Sequence, residues 1–377
     1  MLRAFVLTLC LAASGPLSVS GQDSAPGPGG TPPEAGESSS ARVFLVTLGP
    51  GAQVWERFGH NALWVHDPVE GTDVAYHWGL FDMSEEGFLL NFLRGRMAYA
   101  MGAADAGLLL DAYRRAGRDA TVQELALTPT EVDELETFLT WNMRPENRIY
   151  RYDYFRDNCS TRVRDALDRA LDGTLSRTLR ARDTPITWRR EAVALTAEDE
   201  LLAIGLDLGL GPLADRDITR WELAFIPMRL RDDVRDLGME RDGQRSPLVI
   251  MERVLPAAGG ADDVPAVPAG AVDARVGWML LLGMLLAVLV ATLGWLATQG
   301  RHAGRARSVA RWGLAVAGSL WGLVVGVLGC ILLALWTLTD HEFAHANENL
   351  FQASPLALGL VALVGRRPPG QRHPYCC

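Results

Sequence analysis

The sequence predicts an α+β domain followed by a C-terminal α-helical transmembrane region, and three observations predict it. Three β-like runs follow one another closely: Val43–Leu48, Asn61–Val65 after the turn residues Phe58-Gly59-His60, and Val74–Trp78. Helical periodicity then takes over from Thr128. Near the end, Val276–Gly300 and Trp312–Thr339 carry no charge and exceed the roughly 20 residues a spanning helix needs. The chain of 377 residues is 49% apolar, with slightly positive mean hydropathy, which is too apolar for a purely soluble protein.

Composition narrows the chemistry. All 36 basic residues are arginine, which excludes Schiff-base, P-loop-lysine and lysine-base chemistry. A formal net charge of −9 argues against nucleic acid as a partner. No metal-ligand or cofactor motif stands out, so neither a metal nor a cofactor is expected.

Taken in chain order, residues 1–21 read as a signal peptide: Arg3 is the positive n-region, Ala4–Ala13 the apolar h-region, and Ser18-Val19-Ser20 a small-residue cleavage context. Residues 22–42, rich in Gly, Pro and Ser, read as a disordered leader. The domain at 43–255 opens with the three strands. Thr128-Pro129-Thr130-Glu131 is a capping box with proline at the first helical position, ahead of Val132, Leu135, Phe138 and Leu139. Another helix is expected to begin at Thr196, with Asp199 three residues on. Residues 256–275 are a Pro/Gly/Ala linker, 276–366 the membrane region and 367–377 a cytoplasmic tail. Asn349–Gly365, interrupted by Pro355, is expected to be a third span. Arg301, Arg305, Arg307 and Arg311 place the first inter-span loop in the cytoplasm, and hence the domain at 43–255 and the loop from Asp340 to Asn349 on the outer side.

One cysteine, Cys159, lies in the exported domain, so it has no disulfide partner there. Behind it Val163, Ala166, Leu167, Ala170 and Leu171 recur at helical spacing, so a helix with one buried face starts at about Cys159, capped by Asn158 or Ser160. A helix N-terminus lowers a thiol pKa and offers N–H groups to an oxyanion, which predicts a reactive thiolate in preference to a core cysteine. The bases on offer are His60, His66 and His77. His60 precedes an apolar strand, His66 reads as a turn residue before Asp67-Pro68, and His77 sits on the neighbouring strand where it could orient His60. Glu56 reads as an exposed strand-edge carboxylate.

Phe58-Gly59-His60-Asn61-Ala62-Leu63, Tyr76-His77-Trp78-Gly79-Leu80-Phe81-Asp82 and Tyr152-Asp153-Tyr154-Phe155-Arg156-Asp157-Asn158-Cys159-Ser160-Thr161 together resemble the N-terminal periplasmic domain of the lipoprotein N-acyltransferase Lnb family. Phe225-Ile226-Pro227-Met228-Arg229-Leu230 is similar to a segment that closes that domain, and Trp336–His341 with Asn347–Leu350 to the outer loop of the family's membrane domain. The resemblance implies a circularly permuted papain-like (NlpC-type) thiol fold in which the histidine strands precede the cysteine helix. It implies Cys159, His60 and His77 as the catalytic residues, with His77 standing where relatives often carry Asn. Asn158, Ser160, His341, Asn347 and Asn349 are expected at the substrate. The expected activity moves an acyl chain from a membrane phospholipid through a Cys thioester to the α-amine of a diacylglyceryl-cysteine lipoprotein. The family's membrane domain carries more helices than the three spans read here. Two other readings compete: an NlpC-type peptidoglycan amidase or endopeptidase, and a non-enzymatic membrane-anchored assembly factor.

Overall fold

The computed structural model describes residues 40–241, 243–258, 271–298 and 304–363. The signal peptide, nearly all of the leader, most of the linker and the C-terminal tail lie outside the described residues.

A seven-stranded antiparallel sheet organises the outer domain, in the order β11-β5-β1-β2-β3-β4-β6. Its strands are β1 (Arg42–Leu48), β2 (His60–Asp67), β3 (Thr72–Leu80), β4 (Ala98–Asp105), β5 (Ala120–Leu125), β6 (Ile149–Arg151) and, from the far end of the domain, β11 (Val249–Leu255). The three predicted runs become β1, β2 and β3, each a little longer than its apolar stretch. In β1 every residue from Val43 to Leu48 is buried, because helices cover both faces. β11 pairs with β5, so the sheet is complete only at Leu255. The short pairs β7 (Asp183–Thr187) with β8 (Asp217–Thr219) and β9 (Gly238–Arg241) with β10 (Gln244–Pro247) lie apart from it.

Of the helices, α1 (Phe88–Leu93) and α2 (Ala106–Arg115) flank β4. Helix α3 (Pro129–Met143) carries the expected capping box, Thr128 with Glu131, and buries Val132, Leu135 and Leu139. Helix α4 (Cys159–Ala170) buries Val163, Ala166, Leu167 and Ala170, the predicted face. α3 and α4 share one core with Val43, Leu45, Leu63, Val65 and Trp78. On the opposite face, Leu110 of α2 packs with Phe44, Val46, Leu48 and Ala62. Helices α5 (Thr174–Arg180), α6 (Trp188–Leu195), α7 (Glu200–Gly209), α8 (Arg220–Leu223) and α9 (Pro227–Arg235) complete the domain. Thr196 does not open a helix: it ends α6, its hydroxyl donating back to Ala192 O, and Asp199 is the N-cap of α7.

Two long apolar helices follow, α10 (Ala271–Thr298) and α11 (Gly304–Leu338), both long enough to cross a bilayer. α11 starts well before the apolar run and takes Arg305, Arg307 and Arg311 into its first turns. The expected third span is not an α-helix within the described residues. Pro355–Leu363 winds as a 3-10 helix along a glycine stripe of α11. A Cβ on Gly326 would stand 2.6 Å from Leu358 Cγ, and Ser319 Oγ donates to Leu360 O at 2.9 Å. Glycine removes the side chains that would hold the two backbones apart.

Candidate active site

Strand β2 begins at His60 because Gly59 permits the turn before it. Gly59 has φ +80, and a side chain there would meet Leu48 O at 2.9 Å and Met228 Sδ at 2.8 Å. The β2–β3 register sets Ala62 opposite His77, so His60 and His77 fall on one face of adjacent strands. Their rings meet edge-on, His60 Nε2 standing 3.1 Å from His77 Nδ1. When Nε2–H donates to His77, Nδ1 is the His60 nitrogen left to accept a proton. His66 is at the other end of β2, bonded to Asp73 at 2.9 Å, and takes no part.

The cysteine is held from the opposite side of the sheet. Asn158 caps α4: its Oδ1 accepts from Ser160 N at 2.9 Å and Thr161 N at 3.0 Å, while Nδ2 donates to Tyr154 O and Phe225 O. Ser160 Oγ donates to Ala224 O at 2.7 Å and accepts from Asn61 Nδ2 at 3.0 Å. Cys159 lies between these two anchors. Gly79, at φ +97 beside the irregularity in β3, brings the sheet close: a Cβ there would be 3.5 Å from that of Cys159.

The residue next to His60 reaches the sulfur directly, since the backbone amide of Asn61 hydrogen-bonds to Cys159, as do those of Ser160 and Cys159 itself. These contacts do not produce the thiolate expected at a helix N-terminus. Burial outweighs them and pushes the Cys159 thiol up to about 11, with the amides and Arg118 pulling the other way. Burial, His77 and Arg118 together hold His60 well below 6.5, and burial lowers His77 to about 4. At neutral pH the resting site is therefore a protonated thiol with two uncharged imidazoles.

Tyr113 and Arg118, beside the site, carried no motif in the sequence. Tyr113 of α2 stacks on His60, ring centroids 5.9 Å apart and 6° between planes. Arg118 lies over the Tyr113 ring at 4.6 Å and donates to Gly49 O at 2.7 Å, and its Nη2 is buried with no hydrogen-bond partner. Glu56 is in a single 3-10 turn, not at a strand edge, with Oε1 3.6 Å from Arg118 Nη1. Tyr150 has a buried hydroxyl with no partner. Burial raises the pKa of Tyr113, Tyr150 and Tyr152, and a Cys159 thiolate would raise each further.

The polar atoms of Asn158 and Ser160 are committed to fixing α4, which makes them positioning residues. Asn347 and Asn349 cap the C-terminal end of α7, with Asn347 Nδ2 donating to Leu208, Gly209 and Leu210 carbonyls and Asn349 Nδ2 to Leu208 O. These bonds dock the outer loop on the end of α7. His341 stacks on Tyr154 at 6.0 Å with Nε2 3.1 Å from Phe92 O. The loop thereby braces the Tyr154–Asp157 turn immediately before Cys159: Phe343 enters the core beside Phe155 and Trp188, and Glu342 pairs with Arg156 at 2.7 Å.

Residues 34–193 match the family model for the Lnb N-terminal periplasmic domain, and residues 279–377 match that for the Lnb transmembrane domain. No curated protein and no solved structure matches the chain.

Proposed function

The chain belongs to the Lnb family of inner-membrane proteins with a periplasmic domain, whose two domains it carries in order, and on that premise we propose that it is a lipoprotein N-acyltransferase using Cys159 as nucleophile and His60 as base. In the first half-reaction His60 Nδ1 takes the thiol proton as sulfur attacks an ester carbonyl of a phospholipid. The Asn158 cap engages the Ser160 and Thr161 amides, so the N–H of Cys159 itself is the α4 donor offered to the oxyanion that develops. The ester C–O bond breaks, the departing lysophospholipid oxygen takes the proton back from His60, and an acyl thioester remains. In the second half-reaction the α-amine of a diacylglyceryl cysteine attacks the thioester, His60 relays its proton to the departing sulfur, and an amide forms.

The observation that carries this reading is the His60–His77 pair, held uncharged one residue from the amide that contacts the Cys159 sulfur. A neutral imidazole is the form that accepts a proton, and His77 fixes which nitrogen does so. Spanning helices confine the domain to the surface where both substrates reside, which raises their effective concentration.

The test is N-terminal peptide mass spectrometry of lipoproteins from cells relying on this protein. Cys159→Ala is expected to leave only diacylated, free-amine N-termini, and persistence of triacylated N-termini would refute the assignment. Muropeptide cleavage by the wild-type protein without any change in lipoproteins would point to an amidase instead.

A further inference from the structure

We propose that α1 is a membrane-interfacial helix that inserts its leucines into the periplasmic leaflet of the phospholipid bilayer, next to the point where α11 leaves it. Five of its six residues, Phe88, Leu89, Leu90, Phe92 and Leu93, are apolar, and none of the helix is buried. Leu89, Leu90 and Leu93 remain 52%, 50% and 52% exposed. A contiguous apolar patch of this kind marks an interaction surface.

The occupant follows from where α1 is tied down. α11 ends at Leu338, and two residues later the Asp340 amide donates to Arg94 O at 2.8 Å. His341 Nε2 is 3.1 Å from Phe92 O, and Gly95 is so close that a Cβ would stand 2.9 Å from the backbone of Asp340 and His341. Asp340 also bonds Arg96 Nε at 2.9 Å and pairs with Arg151 at 3.1 Å. Two residues of chain span about 7 Å at most, so the exposed leucines belong at the depth where an uninterrupted apolar helix gives way to polar sequence. Charges around α1 are mixed, with Asp82, Glu85 and Glu86 before it and Arg94 and Arg96 after. Insertion therefore depends on apolar contact and not on anionic lipid.

From α1 an unbroken aromatic series runs inward. Phe88 stacks on Phe81 at 5.7 Å, Phe81 on Tyr99 at 5.0 Å, and Tyr99 on Tyr152 at 4.3 Å. Tyr152 opens the segment that leads into α4 at Cys159. An acyl chain leaving the leaflet at α1 would meet this series on its way to the thiol. That route rests on the acyltransfer reading, whereas the depth of α1 does not.

Depth-dependent quenching in the full-length protein tests the proposal without requiring turnover. The protein is reconstituted in phosphatidylethanolamine/phosphatidylcholine nanodiscs whose acyl chains carry bromine, with a dansyl amino acid at Leu90. Val69, at the opposite end of β2 and β3 and 79% exposed, is the aqueous reference, and Leu285 of α10 the bilayer reference. Leu90 is expected to be quenched to at least about half the extent of Leu285, as an interfacial position should be. Quenching no greater than at Val69 would overturn the proposal. Should the probe at Leu90 prevent assembly, Leu89 and Leu93 give the same reading.

Discussion

At Cys159 two opposing effects act on one sulfur. Three backbone amides and the Arg118 charge favour the thiolate, and removal from water disfavours it more strongly, leaving a thiol at about 11. His60, kept well below 6.5, gains no proton near neutrality, so the pair is uncharged at rest and, in the proposed reaction, proton transfer belongs to the attack itself. The sign is testable. Because the thiol loses its proton only as pH rises toward 11, iodoacetamide alkylation of Cys159 should climb roughly tenfold per pH unit from pH 7 to 10. Mass spectrometry of the Cys159 peptide gives the rate, and a plateau reached below pH 8 would mean a preformed thiolate–imidazolium pair. The stack of Arg118 on Tyr113 and Tyr113 on His60 supplies the positive charge that helps to keep His60 neutral.

Helix α4 shows how an element can be legible while its surroundings are not. The periodicity of Val163, Ala166, Leu167 and Ala170 and the polar residues before it locate the helix and its cap, because both are local effects. Thr128 with Glu131 is legible for the same reason. Tyr113 and Arg118 are not, since α2 reaches the site only through sheet packing and nothing near them in sequence marks it. Thr196 misleads because a hydroxyl suits the end of α6 as well as the start of a helix. Asn347 and Asn349 look like exposed amides in a polar loop, and only the fold brings the carbonyl end of α7 to them. Within the third apolar stretch, Pro355–Leu363 is a 3-10 helix laid in a glycine groove of α11, a tertiary effect that hydropathy does not register. At this scale Asn158 is decisive: it caps α4 and ties it to the Tyr154 and Phe225 carbonyls. Asn158→Ala should cost about 1–2 kcal/mol for the cap, plus the carbonyls left unpaired. Thermal unfolding in detergent should show Tm lowered by several degrees, and an unchanged Tm would contradict the role given to this side chain.

Over the whole molecule, the membrane part is joined to the outer domain by the loop after α11. Asp340 pairs with Arg96 and Arg151, Glu342 with Arg156, and Phe343 fills the core beside Phe155. The side chain that stacks on Tyr154 and the one that enters the core both bear on the turn leading into Cys159, so α11 and Cys159 are held in one frame. Such a frame suits the proposed reaction, in which the thiol takes its acyl group from the adjoining leaflet. The most direct test of that claim is to incubate the full-length protein in phospholipid nanodiscs without an amine acceptor and measure the mass of the peptide containing Cys159. A hydroxylamine-labile acyl adduct on Cys159, absent from His60→Ala and discharged by a diacylglyceryl lipopeptide, is the expected result. An unmodified Cys159, or an adduct on another residue that the lipopeptide discharges equally well, would contradict it.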